Sequence, residues 1–175
     1  MPRFGSRSTL RAAALLAAVF GASCTESAPT EVSPDARLAG RLNGSAYVAA
    51  AEAFVVSEPG APVSIHVYAT HWNVGRGTSD RLTIRVALAG PGVYALDSSQ
   101  VDLYELLGGD GVVGSHAGSR PVPGEFVVTE FDGPGTRLRG TVRFWLTPSR
   151  ASMPVSEPQL FEGELTVRVV APARN

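Results

Sequence analysis

Residues 137–146 read Arg-Leu-Arg-Gly-Thr-Val-Arg-Phe-Trp-Leu, and residues 160–170 read Leu-Phe-Glu-Gly-Glu-Leu-Thr-Val-Arg-Val-Val. In both stretches apolar residues or glycine occupy every second position, so one set of side chains falls on one face. A period of two residues is typical of a half-buried β-strand. These stretches therefore predict two strands with one face toward a core and the other toward solvent.

The same alternation runs through most of the chain, and helical spacing is nearly absent. Residues 82–88 repeat it clearly. Residues 46–54 are rich in alanine and tolerate a helix, but the turn sequence Asn43-Gly44 before them favours a strand. The weaker strand predictions are residues 38–42, 46–57, 63–72, 92–97, 100–107 and 125–131, which turn-forming glycines and prolines separate.

Short strands joined by short turns predict an all-β domain. We expect a single antiparallel β-sandwich, with a closed up-and-down β-barrel as the alternative. If residues 137–146 and 160–170 pair, Arg139 and Arg143 would face Glu162 and Glu164, and each cross-strand pair of opposite charges would contribute roughly 0.2 to 1 kcal/mol. The arginines of this stretch then have a structural explanation.

The N-terminal segment, residues 1–23, has the pattern of a signal peptide. Three arginines precede the apolar run Ala12–Phe20, which is shorter than the roughly 20 apolar residues of a membrane span. Small residues then lead to Cys24, which is the chain's single cysteine. This arrangement resembles the lipobox of bacterial lipoproteins, which implies acylation of Cys24; the alternative is an ordinary secretory signal cut near Ser23 that leaves a free thiol.

The mature chain divides into a tether and a domain. Residues 24–37 hold the lipidated cysteine and a flexible stretch rich in Ser, Thr, Pro and acids, and residues 38–172 form the β domain. Removing the leader takes three of the 15 basic residues and none of the 16 acidic ones, which leaves a net charge of −4. This acidic balance speaks against nucleic acid as a partner, and we expect a monomer.

Several short patterns together resemble small bacterial envelope lipoproteins classed as domains of unknown function. The patterns are Leu42-Asn43-Gly44 with Tyr47, the Gly-x-Tyr-x-Leu of residues 92–96, the Gly-Glu-Phe-Val-Val-Thr-Glu-Phe-Asp of residues 124–132, and the glycine-containing strands at 138–144 and 161–167. The resemblance implies a β-sandwich and a lipid-anchored place in the envelope. It implies no activity for any residue.

The sequence offers weak candidates for metal binding. His66 and His71 are five positions apart on one predicted strand and therefore point to opposite faces, and His116 lies in a glycine-rich stretch. Asp110 and Asp132 occupy glycine turns, but a calcium loop needs several closely spaced oxygens. We predict no metal and no cofactor.

Catalytic patterns are equally weak. Ser115 and His116 adjoin each other in Gly-Ser-His-Ala-Gly, yet a nucleophile elbow needs the serine two residues from each glycine. Carboxylates at positions 125, 130, 162 and 164 lie on predicted strands, where exposed Glu is ordinary. An exported hydrolase is therefore our third hypothesis only.

Aromatic residues suggest a binding surface. Trp72 shares a predicted strand face with Tyr68, His66 and Thr70, a mixture found at recognition patches. Trp145 lies among the outward arginines of its strand, and Tyr104 is a further candidate; plugs at the end of a sandwich are the structural alternative. The predicted surface is His66, Tyr68, Trp72 and Trp145.

These observations favour a non-enzymatic binding or structural module tethered to the bacterial envelope. The residue after Cys24 is Thr25 rather than aspartate, which favours the outer membrane over the inner. We expect an envelope protein or glycan as partner, besides the membrane itself. The alternative function is a lipocalin-like barrel that carries a small apolar ligand.

Overall fold

The computed structural model describes residues 32–56, 64–73, 77–107, 111–118, 123–148 and 157–171. Residues 46–54 lie in a strand, so the helical alternative is wrong. The sequence predicts every strand except β7. The strands are β1 (Arg37–Leu42), β2 (Ser45–Val56), β3 (Ser64–Asn73), β4 (Thr78–Val86), β5 (Gly92–Leu96), β6 (Val101–Leu107), β7 (Gly111–Gly118), β8 (Gly124–Glu130), β9 (Arg137–Pro148) and β10 (Gln159–Val170).

Eight of the strands close into an antiparallel barrel. The ring runs β1-β2-β3-β4-β6-β7-β9-β10 and returns to β1. If β5 and β8 are left out, the order of strands around the ring is their order in the sequence. This arrangement is an up-and-down barrel. β8 pairs with β9, and β5 pairs with β8, so these two strands lie outside the ring.

The barrel closes through the short strand β1. One edge of β1 pairs with β10 and the other with β2, both antiparallel. Beyond the start of β1, β10 and β2 pair directly in parallel through Val169 with Ala53 and Val170 with Phe54. The predicted β-sandwich is therefore wrong and the closed barrel, our alternative, is correct, because alternation along a strand defines its faces but not its partners.

Apolar side chains fill the inside of the ring. In each stretch where the sequence shows alternation, every second residue points inward, as predicted. Leu38, Ala49, Val67 and Ile84 are at most 1% exposed, and Phe161 stacks on Phe144 with ring centroids 5.0 Å apart. Burial of this kind contributes about 25 cal/mol per Å² of apolar surface.

Glycine permits the close approach of strands beside these rings. Gly40 and Gly163 are cross-strand partners, and a Cβ on Gly40 would collide with the backbone carbonyl of Glu162. A Cβ on Gly140 would meet the carbonyl of Val127 and the ring of Phe126. The glycines of the alternating stretches therefore hold core positions where any larger residue would push two strands apart.

The predicted charge pairing between β9 and β10 is correct in part. Arg143 lies opposite Glu162, and their side chains approach to 2.8 Å. Arg139 lies opposite Thr166 instead of Glu164, and its nearest carboxylate is that of Glu130 on β8 at 3.9 Å. β8 therefore supplies a partner that the sequence does not reveal.

The chain enters and leaves the barrel at one end, which we call the entry end. β1 starts there at Arg37, and the Asn43-Gly44 turn lies at the opposite, far end; β10 runs back to the entry end. Asp35 forms an ion pair of 3.0 Å with Arg137, and Ala51 donates a backbone hydrogen bond to Ala36. Asp35 and Ala36, which precede β1, therefore contact the barrel.

Candidate functional site

The outward side of β2, β3, β4 and β6 carries a cluster of aromatic and charged side chains. Tyr68 lies opposite Glu52 on β2, and Thr70 lies opposite Arg81 on β4. Arg81 in turn lies opposite Tyr104 on β6. We call the surface formed by Glu52, Tyr68, Thr70, Trp72, Arg81 and Tyr104 the aromatic face.

Two adjoining depressions mark this face. The first encloses about 530 Å³ and is lined by Ala50, Glu52, Tyr68, Thr70, Trp72 and Arg81. The second encloses about 360 Å³, and its lining includes Thr83, Arg85 and Tyr104. Because Tyr68 and Arg81 line both depressions, one elongated ligand could contact the two at once.

Aromatic rings cluster around Tyr68. The ring of Phe54, on β2, lies 6.2 Å from that of Tyr68, and the ring of His66 lies 6.4 Å away in an edge-to-face arrangement. Trp72 stands four residues further along β3, about 13 Å away at 3.3 Å per residue. Tyr and Trp combine a flat apolar ring with one polar group, which suits surfaces that bind partly polar ligands.

The two arginines of β4 differ in their surroundings. Arg85 donates to Asp102 at 2.6 Å and to the backbone oxygen of Ser99 at 3.1 Å. Arg81 is exposed, and within the described ranges it has no hydrogen-bond or ion-pair partner. An unpaired guanidinium between aromatic rings can bind an acidic group or stack on a flat one.

The structure brings three of the four predicted surface residues together. His66, Tyr68 and Trp72 alternate along the outward face of β3; His66 contacts the Tyr68 ring but, unlike the other two, lines neither depression. Trp145 lies on β9 opposite Leu160, with β4, β6 and β7 between β9 and β3 in the ring, and it lines neither depression. Three of the four residues of the predicted surface therefore lie on one side of the barrel, and Trp145 lies on another.

Sequence reasoning did not find Glu52, Phe54 and Arg81 as members of this site. Their alternation places them on outward faces, but only the register of β2 against β3 and of β3 against β4 brings them beside Tyr68 and Trp72. Arg81 also precedes the first residue of the predicted strand 82–88. If the predicted strand had been extended by a few residues toward the N-terminus, alternation would have placed Arg81 on its outward face. This is the sequence signal that could have identified Arg81.

A third depression of about 510 Å³ lies over β1, β9 and β10. Its lining includes Gly40, Gly163, Arg143 and Glu162 and contains no aromatic ring. Arg143 and Glu162 already bind each other across it. Glu125 and Glu164 also line this depression and have no ion-pair partner in the described ranges. It therefore differs from the aromatic face in having no ring beside its charged groups.

Polar groups also gather inside the far end of the barrel. The ring of Tyr47 stacks on that of His71, with centroids 4.7 Å apart, and Nδ1 of His71 lies 2.7 Å from the carbonyl oxygen of Val48. The Tyr47 hydroxyl is buried and has no hydrogen-bond partner among the residues that the structure describes. Burial, assisted by the charge of Asp80, raises the pKa of Tyr47 well above its ordinary value. This hydroxyl is therefore held in its neutral form.

The remaining sequence candidates do not assemble. Ser115 and His116 are consecutive on β7 and point to opposite faces, so they cannot form a nucleophile and base. His66 and His71 also lie on opposite faces, as predicted. Among the residues that the structure describes, no three His, Cys, Asp or Glu side chains are grouped as metal ligands would be. Cys24 and Asp110 lie outside the described residues.

Comparisons with protein-family models, curated proteins and solved structures gave no match to this chain. The resemblance to envelope lipoproteins therefore stays a prediction. Within the described ranges, the chain contains no helix long and apolar enough to cross a membrane.

Proposed function

We propose that this protein is a non-enzymatic binding module, exported and anchored to the bacterial envelope by a lipid on Cys24, that holds an envelope glycan on its aromatic face. The observation that carries the binding part is the pair of joined depressions lined by Tyr68, Trp72 and Arg81. The anchoring part rests on the leader sequence and the single cysteine.

Side-chain chemistry supports a glycan as the ligand. Sugars present flat apolar C–H surfaces together with hydroxyl groups, so their binding sites need aromatic rings beside polar side chains. Trp72 and Tyr68 supply rings, while Glu52, Thr70 and Arg81 supply hydrogen-bonding groups in the same depression. A few polar groups placed among apolar ones are the usual composition of a small-ligand site.

The placement of the aromatic face agrees with a tethered binder. The chain enters the barrel at the entry end, whereas Trp72 and Arg81 lie on the parts of β3 and β4 near the far end. A lipid anchor preceding β1 would hold the entry end toward the membrane. The aromatic face would then be directed away from the bilayer, where a glycan can reach it.

Binding is tested by native affinity electrophoresis of the Cys24→Ala protein through gels that contain single soluble polysaccharides. We expect at least one polysaccharide to slow migration, and Trp72→Ala to abolish the effect. Trp145→Ala is the matched control, because Trp145 is also an outward, half-buried tryptophan but lines neither depression. Normal migration in every gel, or equal loss in both variants, would reject the aromatic face as a glycan site.

The anchor is tested separately by intact-mass analysis of membrane and soluble fractions, wild type beside Cys24→Ala. We expect acylated mass in the membrane fraction for the wild type alone. If both proteins are soluble and unmodified, Cys24 is a bare thiol and the binder is secreted. That outcome removes the anchor without affecting the binding site.

The second candidate function is a lipocalin-like carrier, and the closed eight-stranded barrel favours it. The described inward side chains fill the ring, so an apolar ligand would have to displace them. Native mass spectrometry of protein from its own host distinguishes the two functions. A co-purified apolar molecule supports the carrier, and its absence supports the glycan binder.

A further inference from the structure

The two arginines on the outward face of β4 suggest what kind of glycan would bind. Arg85 is neutralised by Asp102 and further held by the carbonyl of Ser99. Arg81, four residues earlier, has no such partner in the described part of the chain. On β9, Arg137, Arg139 and Arg143 each meet a carboxylate, whereas Arg41 and Arg168 donate to the backbone carbonyls of Gly44 and Gly135. Arg81 differs from these arginines because it lines both depressions of the aromatic face.

Arg81 also has a central place on the aromatic face. It lies directly opposite Thr70 on one side and Tyr104 on the other, and it lines both depressions. A sugar ring lying against Tyr68 or Trp72 therefore has the guanidinium beside it. A guanidinium binds a carboxylate through two parallel hydrogen bonds, which fixes both position and orientation.

We propose that the aromatic face binds a glycan whose sugars carry carboxylates, of the uronic-acid class, and that Arg81 holds one such carboxylate while Tyr68 and Trp72 contact the ring. This inference rests on the proposed function and adds the acidic group of the ligand. Glu52, in the first depression, accepts hydrogen bonds from sugar hydroxyls.

The charges around Arg81 favour one carboxylate over a dense polyanion. Glu52 lines the same depression, and the mature chain carries 12 basic and 16 acidic residues once the leader's three arginines are removed. A nucleic acid or a heavily sulfated chain would meet repulsion outside the immediate contact. A sugar acid places a single charge at Arg81 and uncharged hydroxyls around it.

The experiment uses fluorescence titration of the Cys24→Ala protein carrying Trp145→Phe, in which Trp72 is the remaining tryptophan. The probes are short oligosaccharides of galacturonate, glucuronate and mannuronate, each beside its methyl ester. The ester keeps the sugar backbone and removes the charge. We expect at least one acid to bind about tenfold or more tighter than its ester, the effect of one charge-assisted hydrogen-bonding pair.

Variants assign this preference to Arg81. We expect Arg81→Gln to bring the acid and the ester to equal affinity, whereas Arg139→Gln, which removes a positive charge elsewhere on the surface, leaves the preference unchanged. Unfolding curves of Arg81→Gln should match those of the parent protein, because within the described part of the chain the side chain has no ion pair or hydrogen bond to lose.

Three outcomes would overturn the inference, and they differ from failure of the proposed function. If acid and ester bind equally, or if only neutral polysaccharides slow the protein in a Trp72-dependent manner, the glycan site stands and the carboxylate specificity is wrong. If the acid preference persists in Arg81→Gln, a different cation holds the carboxylate. Absence of binding to every acidic and neutral glycan rejects both proposals.

Discussion

The two sides of this barrel have depressions of similar size but opposite character. Over β1, β9 and β10, Arg143 and Glu162 bind each other at 2.8 Å and no ring lines the depression. Over β2, β3 and β4, Arg81 lines the depression together with Tyr68 and Trp72, and it has no ion-pair partner in the described ranges. The difference teaches that two depressions of equal size can have different side-chain chemistry, and the aromatic rings beside polar groups are what favour the aromatic face as the candidate site.

The largest expected effect lies beneath the β1, β9 and β10 side. Phe161 is 1% exposed and contacts the rings of Phe144 and Tyr47, so Phe161→Ala should lower the free energy of unfolding by about 3–5 kcal/mol. Trp72→Ala, on the aromatic face, should cost about 1 kcal/mol or less. Urea unfolding followed by circular dichroism measures both. If Trp72→Ala lowers the free energy of unfolding as much as Phe161→Ala does, Trp72 is a structural plug.

The next largest effect is expected where the backbones of β1 and β10 are in contact. Gly40→Ala places a Cβ against the carbonyl of Glu162 and should lower the free energy of unfolding by about 1–3 kcal/mol. Gly92→Ala is the matched control, because its Cβ would meet only the Tyr94 ring at ordinary distances of 3.6 Å or more. We expect a change of about 0.5 kcal/mol or less for the control. Equal midpoints in thermal unfolding would show that β1 and β10 can separate freely.

A smaller effect is expected at Tyr47, which lies between the two sides at the far end. Its buried hydroxyl has no hydrogen-bond partner in the described ranges, so Tyr47→Phe should raise the free energy of unfolding by about 1 kcal/mol. Because burial raises the pKa of Tyr47 in the folded state, the unfolded chain ionises first. The contribution of the neutral Tyr47 side chain to stability is therefore present below about pH 10, the ordinary pKa of tyrosine. It is lost as the pH rises above that value.

Denaturant unfolding between neutral and alkaline pH tests this sign. Above about pH 10 the wild type should lose stability more steeply than Tyr47→Phe. Parallel pH profiles for the two proteins would mean that the hydroxyl is solvated in the folded state.

The smallest expected effect distinguishes an arginine that forms an ion pair from one that does not. A double-mutant cycle with Arg143→Gln and Glu162→Gln should give a coupling energy of about 0.5 kcal/mol, since both side chains are more than half exposed. The same cycle with Arg81→Gln and Glu52→Gln should give a coupling energy near zero. A coupling at Arg81 equal to that at Arg143 would show that Arg81 is already neutralised, and the contrast between the two sides would fail.

Strand positions were largely predictable, and the exception is instructive. β7 has the sequence Gly-Val-Val-Gly-Ser-His-Ala-Gly, whose glycines and small residues hide the alternation. It forms a strand because β6 pairs with it along most of its length and β9 joins at its end. Partners supplied by the fold thus override a weak local preference.

The candidate site was predictable only where it lies on one strand. His66, Tyr68 and Trp72 share the outward face of β3, which follows from a period of two. Arg81 and Glu52 join them through pairings between strands. Trp145 lies on another side of the barrel, and the sequence could not show this, because an outward position on β9 does not reveal which side of the barrel β9 occupies.

By itself the sequence determined which side chains face inward along nearly every strand, because the chain geometry sends successive residues to opposite faces. Tertiary structure alone decided that β1 closes the ring between β10 and β2, that Arg81 shares a depression with Tyr68 and Trp72, and that Arg143 meets Glu162. The physical reason is that backbone hydrogen bonds between strands are nearly independent of side-chain identity. Partners and register therefore emerge only when all the apolar faces are packed into one core.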